Sequence, residues 1–99
     1  MKSLPRILSA EVVIHGVLKI VWRDGYEGVI DLRPIIDRGR IFTYLQDAEN
    51  FKKLKVDEFG HAIGWVNDHG EEIDLGADNL RMKAENQAKL HKIVAELRV

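Results

Sequence analysis

The stretch that decides the fold is VLKIVWRDGYEGVIDL, residues 17–32. Its first half alternates apolar side chains with other residues at the period of two that is typical of a half-buried strand. The apolar members of one face are Leu18, Ile20 and Trp22. Asp24-Gly25 follows, and this dipeptide is one of the strongest short hairpin signals, because both residues tolerate the positive φ angles of a type I′ turn. We therefore predict two antiparallel strands joined at Asp24-Gly25.

The length of that turn sets which residues of the hairpin share a face. A two-residue loop pairs Arg23 with Tyr26 and fixes the pairing of every residue farther out. This register predicts that Ile20, Trp22 and Val29 lie on one face of the sheet.

Further short segments on both sides of the hairpin are expected to complete the sheet. Apolar runs between turn residues predict strands at residues 7–14, 54–59, 62–66 and 71–75. Pro34 begins a short helix that Gly39 ends, since proline suits the first helical turn and glycine the position after the last one. Asp47 is expected to cap a single helical turn that ends at Phe51.

The last quarter of the chain changes from strands to a helix. Asp78 is a suitable N-cap, and residues 79–98 contain neither glycine nor proline. The sequence therefore predicts a strand-rich part over residues 5–75 and a helix over residues 78–98. Together they form a single α+β domain, residues 1–99: a small antiparallel sheet of β-hairpins with short helices and one longer C-terminal helix.

Composition is typical of a small globular domain without disulfides. The chain has 99 residues and no cysteine, which excludes disulfide bonds, thiolate metal sites and cysteine nucleophiles. Hydrophobic residues make up 45% and charged residues 31%, and the apolar runs are too short to span a bilayer. The first residues lack the apolar run of a secretory signal, so we expect a cytoplasmic protein.

The charge balance argues against a domain that binds nucleic acid alone. Fifteen basic and 16 acidic side chains give a net charge of -1, whereas such domains usually carry a basic excess. A basic face would require several separated cations to come together. These are Lys52, Lys53, Lys55, Lys83, Lys89, Lys92 and Arg98.

The sequence contains no pattern that predicts catalysis or a metal or cofactor site. The histidines His15, His61, His69 and His91 lack the close spacing of zinc ligands, although two of them, His61 and His69, could converge with Asp74 across a hairpin. The acidic residues do not form a calcium loop, and the glycines do not form a phosphate loop or a nucleophile elbow. We therefore expect no catalytic residue, no metal and no cofactor.

An ordered series of residues runs through most of the chain. It comprises Pro5-Arg6-Ile7, Trp22-x-Asp24-Gly25, Gly28-Val29-Ile30-Asp31-Leu32-x-Pro34, Gly39, Phe42, Leu45-x-Asp47, Phe51, Val56-Asp57, Gly60, Ile63-x-Trp65, Ile73-Asp74-Leu75 and Asp78-x-Leu80. Over residues 4–80 this series resembles a small bacterial domain, domain-of-unknown-function family 2442. The motif residues that we expect to serve backbone geometry and packing are Trp22, Asp24, Gly25, Asp31, Leu32, Pro34 and Trp65.

The resemblance implies an α+β fold with two β-hairpin regions and a C-terminal helix, and it implies no catalytic mechanism. Some similar domains precede a helix-turn-helix DNA-binding domain. Others are encoded beside a second small protein, in pairs that look like toxin–antitoxin modules. Here a single helix stands where the DNA-binding domain would begin, so we do not expect direct nucleic-acid binding.

Two places are expected to meet a protein partner, namely Tyr26 beside the hairpin turn and the late helix. Leu80 and Ala84 have the spacing to dock on the sheet. The later apolar residues would then be free for a second copy of the chain. These residues are Leu90, Ile93, Val94 and Leu97. The alternative is that the whole helix packs within its own chain.

Three functions are consistent with these features. The first is a non-catalytic cytosolic module that acts by protein contact, as one half of a toxin–antitoxin-like pair or as a homodimer. The second is the dimerisation or sensor part of a DNA-associated transcriptional regulator. The third is a small-ligand-binding domain or an enzyme of unknown reaction, which requires a concave pocket with convergent polar groups. The sequence favours the first.

Overall fold

The computed structural model describes residues 4–97, which form six strands, three α-helices and one 3₁₀ helix. The strands are β1 (Ile7–Ile14), β2 (Val17–Trp22), β3 (Glu27–Asp31), β4 (Lys55–Val56), β5 (Ala62–Val66) and β6 (Glu72–Gly76). The helices are α1 (Arg33–Asp37), the 3₁₀ helix (Arg40–Gln46), α2 (Ala48–Phe51) and α3 (Ala77–Leu97). This arrangement confirms the predicted α+β class.

The strands are divided between two antiparallel sheets of three strands each, in the orders β1-β2-β3 and β4-β5-β6. The sheets are joined where the backbone N–H of Ile7 donates to the carbonyl of Gly60 over 2.8 Å. Gly60 has a φ of 73°, and a Cβ there would lie only 2.5 Å from the carbonyl oxygen of Ile7. The junction therefore needs glycine for both its conformation and its closeness.

The loop between β2 and β3 is one residue longer than the sequence predicts. The N–H of Trp22 donates to the carbonyl of Tyr26 over 2.9 Å, and the N–H of Gly25 donates to the carbonyl of Trp22 over 3.0 Å. Gly25 has a φ of 91°, whereas Asp24 does not have a positive φ. These are the features of a type I turn followed by a glycine bulge, which an Asp-Gly sequence also suits. The predicted type I′ turn is therefore wrong.

This extra loop residue exchanges the two faces of β3. Ile20 pairs with Gly28, and Lys19 pairs with Val29. Val29 is consequently 53% exposed, while Ile30 is fully buried. Because neighbouring residues of a strand point to opposite faces, a shift of one residue inverts the whole pattern. The prediction that Val29 shares the buried face of Ile20 is wrong.

The core is one cluster of buried apolar side chains drawn from both sheets, α1, the 3₁₀ helix, α2 and α3. Both tryptophans belong to it, which confirms their expected place in the core. The Nε1 of Trp65 donates to the carbonyl of Phe51 over 2.9 Å. The Nε1 of Trp22 is buried and has no hydrogen-bond partner among the described residues.

The two predicted N-caps have different outcomes. The side chain of Asp47 accepts a hydrogen bond from the N–H of Glu49 over 2.8 Å, so its capping of α2 is confirmed. Asp78 lies within the first turn of α3, because the helix already begins at Ala77. The N–H of Ala77 donates to the carbonyl of His61, which fixes the start of the helix against β5. The prediction of Asp78 as N-cap is wrong.

Helix α3 has 21 residues, which corresponds to a length of about 31 Å. Within residues 4–97, no helix is both long enough and apolar enough to cross a membrane. The prediction that the helix includes Arg98 concerns a residue outside the described range.

Candidate functional site

Within residues 4–97, α3 buries side chains against the rest of the domain only along its first half. Its buried residues are Ala77, Leu80 and Ala84. The helix crosses β3 at Gly28, where an added Cβ would lie 2.7 Å from the Cβ of Ala84. One turn later, the side-chain oxygen of Gln87 accepts a hydrogen bond from the N–H of Asp31 over 3.1 Å. Since β3 is an edge strand, Gln87 satisfies a backbone donor that sheet pairing leaves free.

Beyond Gln87 every described residue of α3, 88–97, is exposed. The exposed fractions of four apolar residues in this segment lie between 46% and 79%. We call these four the apolar stripe: Leu90, Ile93, Val94 and Leu97. Successive helical residues are about 100° apart, so the stripe is centred roughly 120° around the helix from the buried face. Continuing the helix along the first sheet would therefore not bury the stripe.

A shallow recess continues the line of the apolar stripe toward the body of the domain. It has a volume of about 380 Å³ and is bordered by β6 on one side. Its helical residues are Asn79, Met82, Lys83 and Asn86, with Leu80 below. At about 100° per residue, the first four lie on the same side of α3 as the stripe. The stripe and the recess thus form one continuous surface along one side of the helix.

Tyr26 is separate from this surface and takes part in an intramolecular cluster. The guanidinium carbon of Arg81 lies 4.0 Å from the ring centroid of Tyr26 and 5.3 Å from that of Trp22. The same guanidinium bonds Asp24 at 3.0 Å and Glu85 at 2.9 Å. Stacking of a planar cation on aromatic rings, together with these ion pairs, holds α3 to the β2–β3 loop.

The electrostatics of the loop follow from this cluster. The backbone N–H of Tyr26 donates to the carboxylate of Asp24, and it is the largest influence that lowers the pKa of Asp24. The Arg81 guanidinium lowers this pKa further by hydrogen bonding and by its charge. Asp24 is therefore an ionised turn residue with local partners, as its motif role predicts.

The remaining motif residues of the first sheet shape the entry into α1. Asp31 accepts two hydrogen bonds from the Arg33 side chain, both at 2.9 Å, and these bonds lower the pKa of Asp31. Leu32 is buried at the N-cap position, and Pro34 lies in the first turn of α1. These contacts fix the local backbone, and Asp31 and Arg33 also border an open recess of about 570 Å³ between β3 and α3.

The histidines do not form the cluster that a hairpin could have assembled. His61 lies 3.9 Å from Asp57, whose pKa is lowered chiefly by the backbone N–H of His61. His69 borders a recess beside the 3₁₀ helix, whereas Asp74 borders a groove on the second sheet. Among residues 4–97, no group of three histidine or acidic side chains is placed to hold a metal ion. The convergence of His61, His69 and Asp74 that the sequence left open is therefore not found among these residues.

The groove on the second sheet is a wide depression of about 440 Å³. Its floor is low because Gly64 has no side chain, and the carboxylate of Asp74 lies over that position. Lys53 and Lys55 border the groove together with Asp74 and Glu72. This mixture of charges gives the groove no strong preference for an anion or a cation.

The cations proposed for a basic face do not share one side of α3. Lys83 and Lys92 are nine residues apart, which places them on opposite sides of the helix. Lys89 lies between them in angle, and Arg98 is outside the described residues. The helix therefore does not present a continuous row of these cations.

Two residues that hold α3 against the first sheet could not be predicted from the sequence. Arg81 bonds Asp24, which is 57 positions away, and Gln87 bonds Asp31, which is 56 positions away. Neither residue belongs to a local motif, and both lie in a segment whose periodicity only indicates a helix. No signal in the sequence distinguishes them from other polar helix residues.

Comparison with known proteins adds no identity. No family model, no curated protein and no solved structure matches this chain. The resemblance to domain-of-unknown-function family 2442 therefore stays a prediction.

Proposed function

We propose that the protein is a non-catalytic interaction module whose binding element is the distal half of α3. The observation that carries this proposal is the contrast between the two halves of one helix. The first half is fixed by Leu80, Ala84 and Gln87, whereas the second half exposes the apolar stripe. Scattered exposed apolar residues are ordinary, but a row at helical spacing is typical of a binding face.

A partner that buries the apolar stripe gains binding free energy from each of its side chains. Full burial of one leucine or isoleucine side chain is worth about 1.5–3 kcal/mol. The first half of α3 is already fixed at Gly28 and Asp31, so the helix axis is set before a partner arrives. A pre-formed helix loses less conformational entropy on binding than a disordered segment does.

The wider biological setting belongs to the same proposal. We infer a cytosolic setting, because a chain without cysteine fits a compartment in which disulfide bonds do not form. The resemblance to domain-of-unknown-function family 2442 supports a protein partner, since some similar domains are encoded beside a second small protein. A toxin–antitoxin-like pair is one arrangement in which such a helix would be covered.

The two alternatives receive less support. A DNA-associated role would draw on the lysines of α3, which lie on different sides of the helix, and on Lys53 and Lys55, which border a groove with Asp74 and Glu72. A ligand-binding or enzymatic role would use that groove. Its charges are mixed and its walls are open, whereas small-molecule sites usually enclose most of the ligand.

Site-specific photo-cross-linking tests the proposal whatever the identity of the partner. Leu90 is replaced by benzoylphenylalanine in the full chain, and the matched control carries the same residue at Leu8. These two leucines are 61% and 62% exposed, so they differ in location rather than in accessibility. We expect a discrete protein adduct, identified by mass spectrometry, from position 90 and not from position 8. Equal or absent cross-linking at the two positions would overturn the proposal.

A further inference from the structure

We propose that the apolar stripe is covered by a second copy of this chain, with the two α3 helices antiparallel. This inference rests on the proposed function and names its partner. The observation that selects a second copy is the charge pattern along one edge of the stripe. Lys89 and Glu96 are exposed and seven residues apart, so they lie within about 20° of each other on the helix.

An antiparallel pair brings these opposite charges together twice. Around a two-fold axis, residue i of one chain meets residue j of the other, and j meets i. With the axis near residue 92, Leu90 packs against the other copy's Ile93. In the same register, Lys89 and the other copy's Glu96 flank this contact along one edge, since Lys89 precedes Leu90 by one residue and Glu96 follows Ile93 by three. One chain therefore carries both halves of each apolar contact and of each ion pair.

A parallel pair does not use the same charges. Charged residues beside the seam of a parallel helix pair meet a residue five positions farther along the partner. For Lys89 that position is Val94, which offers no charge. Interhelical ion pairs commonly set helix orientation, so the Lys89 and Glu96 pattern favours the antiparallel arrangement.

The recess beside the first half of α3 accommodates the end of the partner helix. In the antiparallel register, Leu97 of one copy comes opposite Asn86 of the other. Asn86 borders the recess of about 380 Å³, together with Met82, which is itself exposed. The apolar surface available to the partner thus continues past the stripe, up to β6.

The size of this surface predicts a reversible dimer. Four stripe residues and a shallow recess form a contact at the small end of specific interfaces, where complexes are transient and depend on concentration. Sedimentation velocity of the full chain over a wide concentration range should therefore show a mass that rises from 11.3 kDa toward twice that value. Leu90→Asp should abolish the rise, while Leu8→Asp, which changes a leucine of matched exposure, should preserve it. The helical circular dichroism of each variant checks that the fold is retained.

Charge reversal tests the antiparallel register. Lys89→Glu and Glu96→Lys each turn two attractive pairs into repulsive ones, so each should weaken self-association about tenfold. An equimolar mixture of the two single variants should associate at least as well as the wild type, because both cross-chain pairs are then attractive. The double variant Lys89→Glu/Glu96→Lys should also recover association. Failure of both the mixture and the double variant to recover would overturn the antiparallel arrangement.

The outcomes separate this inference from the proposed function. A chain that stays at 11.3 kDa at every concentration overturns the second copy as partner. If benzoylphenylalanine at position 90 then cross-links a different protein, the interaction module stands and its partner is that protein. If it cross-links nothing, both proposals fail.

Discussion

Replacement of Gly28 by alanine tests how closely α3 lies against the first sheet. The new Cβ would be 2.7 Å from the Cβ of Ala84, whereas ordinary contacts begin at 3.4 Å. Helix and strand would have to separate by about 0.7 Å, since alanine has no rotamer that could move away. Such overpacking costs about 1–3 kcal/mol. Alanine also lowers the backbone entropy of the unfolded chain relative to glycine, which offsets about 0.5–1 kcal/mol of this cost. We expect the free energy of unfolding to fall by about 1 kcal/mol, and by no more than about 2.5 kcal/mol.

Urea unfolding, followed by the fluorescence of the two buried tryptophans, measures this change. A second variant, Ala84→Gly, removes the opposing methyl group and should itself cost about 1 kcal/mol through helix propensity. When the two changes are combined, the clash is absent, because one Cβ has replaced the other. The combined variant should therefore be more stable than the sum of the single effects predicts, by about 1 kcal/mol or more.

Gly64→Ala is the matched control, because Gly64 also lies within a strand and lacks a positive φ. A Cβ there first meets the carboxylate of Asp74, an exposed side chain that can rotate away. Its effect on stability should be smaller than that of Gly28→Ala. If Gly28→Ala costs no more than the control, and the effects of the double variant simply add, then α3 does not cross β3 at this position.

Three other perturbations test the contacts around the two tryptophans and the hairpin loop. Arg81→Lys should lower the free energy of unfolding by about 1 kcal/mol, since an ammonium group cannot stack on the rings as a planar guanidinium does; chemical denaturation measures it. Trp65→Phe should lower the free energy of unfolding by about 1–3 kcal/mol more than Trp22→Phe does. The first change leaves the carbonyl of Phe51 without its hydrogen bond, whereas the second removes no hydrogen bond. Urea titrations of the two variants measure the difference. The folded-state pKa of Asp24 lies below its ordinary value of 3.8, so its ionised form stabilises the fold above that pH. The stability advantage of the wild type over Asp24→Asn should therefore shrink as the pH falls through the lowered pKa. Thermal midpoints of both proteins from pH about 7 to about 2 measure this, and they would show no such trend if the contacts of Asp24 were absent.

The sequence predicted elements best where their signals are local. The strand over residues 7–14 and the strand over residues 62–66 have the predicted bounds. The cap at Asp47 depends only on its own side chain and the next two backbone groups. In each case the relevant physics, alternation or capping, acts within a few residues.

Predictions failed where two local structures suit the same residues. Asp24-Gly25 fits both a two-residue and a three-residue hairpin loop, and the choice determines the side of the sheet on which Val29 lies. The start of α3 depends on the bond from Ala77 to His61, which no local pattern reveals. The way in which the two sheets join likewise depends on the backbone bond from Ile7 to Gly60, which no local pattern reveals.

The candidate surface was partly visible in the sequence. The spacing of Leu90, Ile93, Val94 and Leu97 indicated a helical row, but periodicity alone left open whether the chain itself covers it. Whether the chain covers this row depends on where the first sheet ends beneath α3. The hydrogen bond between Gln87 and Asp31 marks that end. Contacts across more than fifty positions cannot be derived from the pattern of one segment.

Amide hydrogen exchange along α3 tests most directly whether the distal half is free in one chain and covered by a second. In dilute protein we expect residues 90–97 to exchange much faster than Leu18 and Ile20 of β2, because their helical bonds lack tertiary cover. On concentration, exchange at residues 90–97 should slow markedly while exchange in β2 stays unchanged. Equally slow exchange at residues 90–97 and in β2 in dilute protein, with no response to concentration, would contradict both the free helix and the second copy.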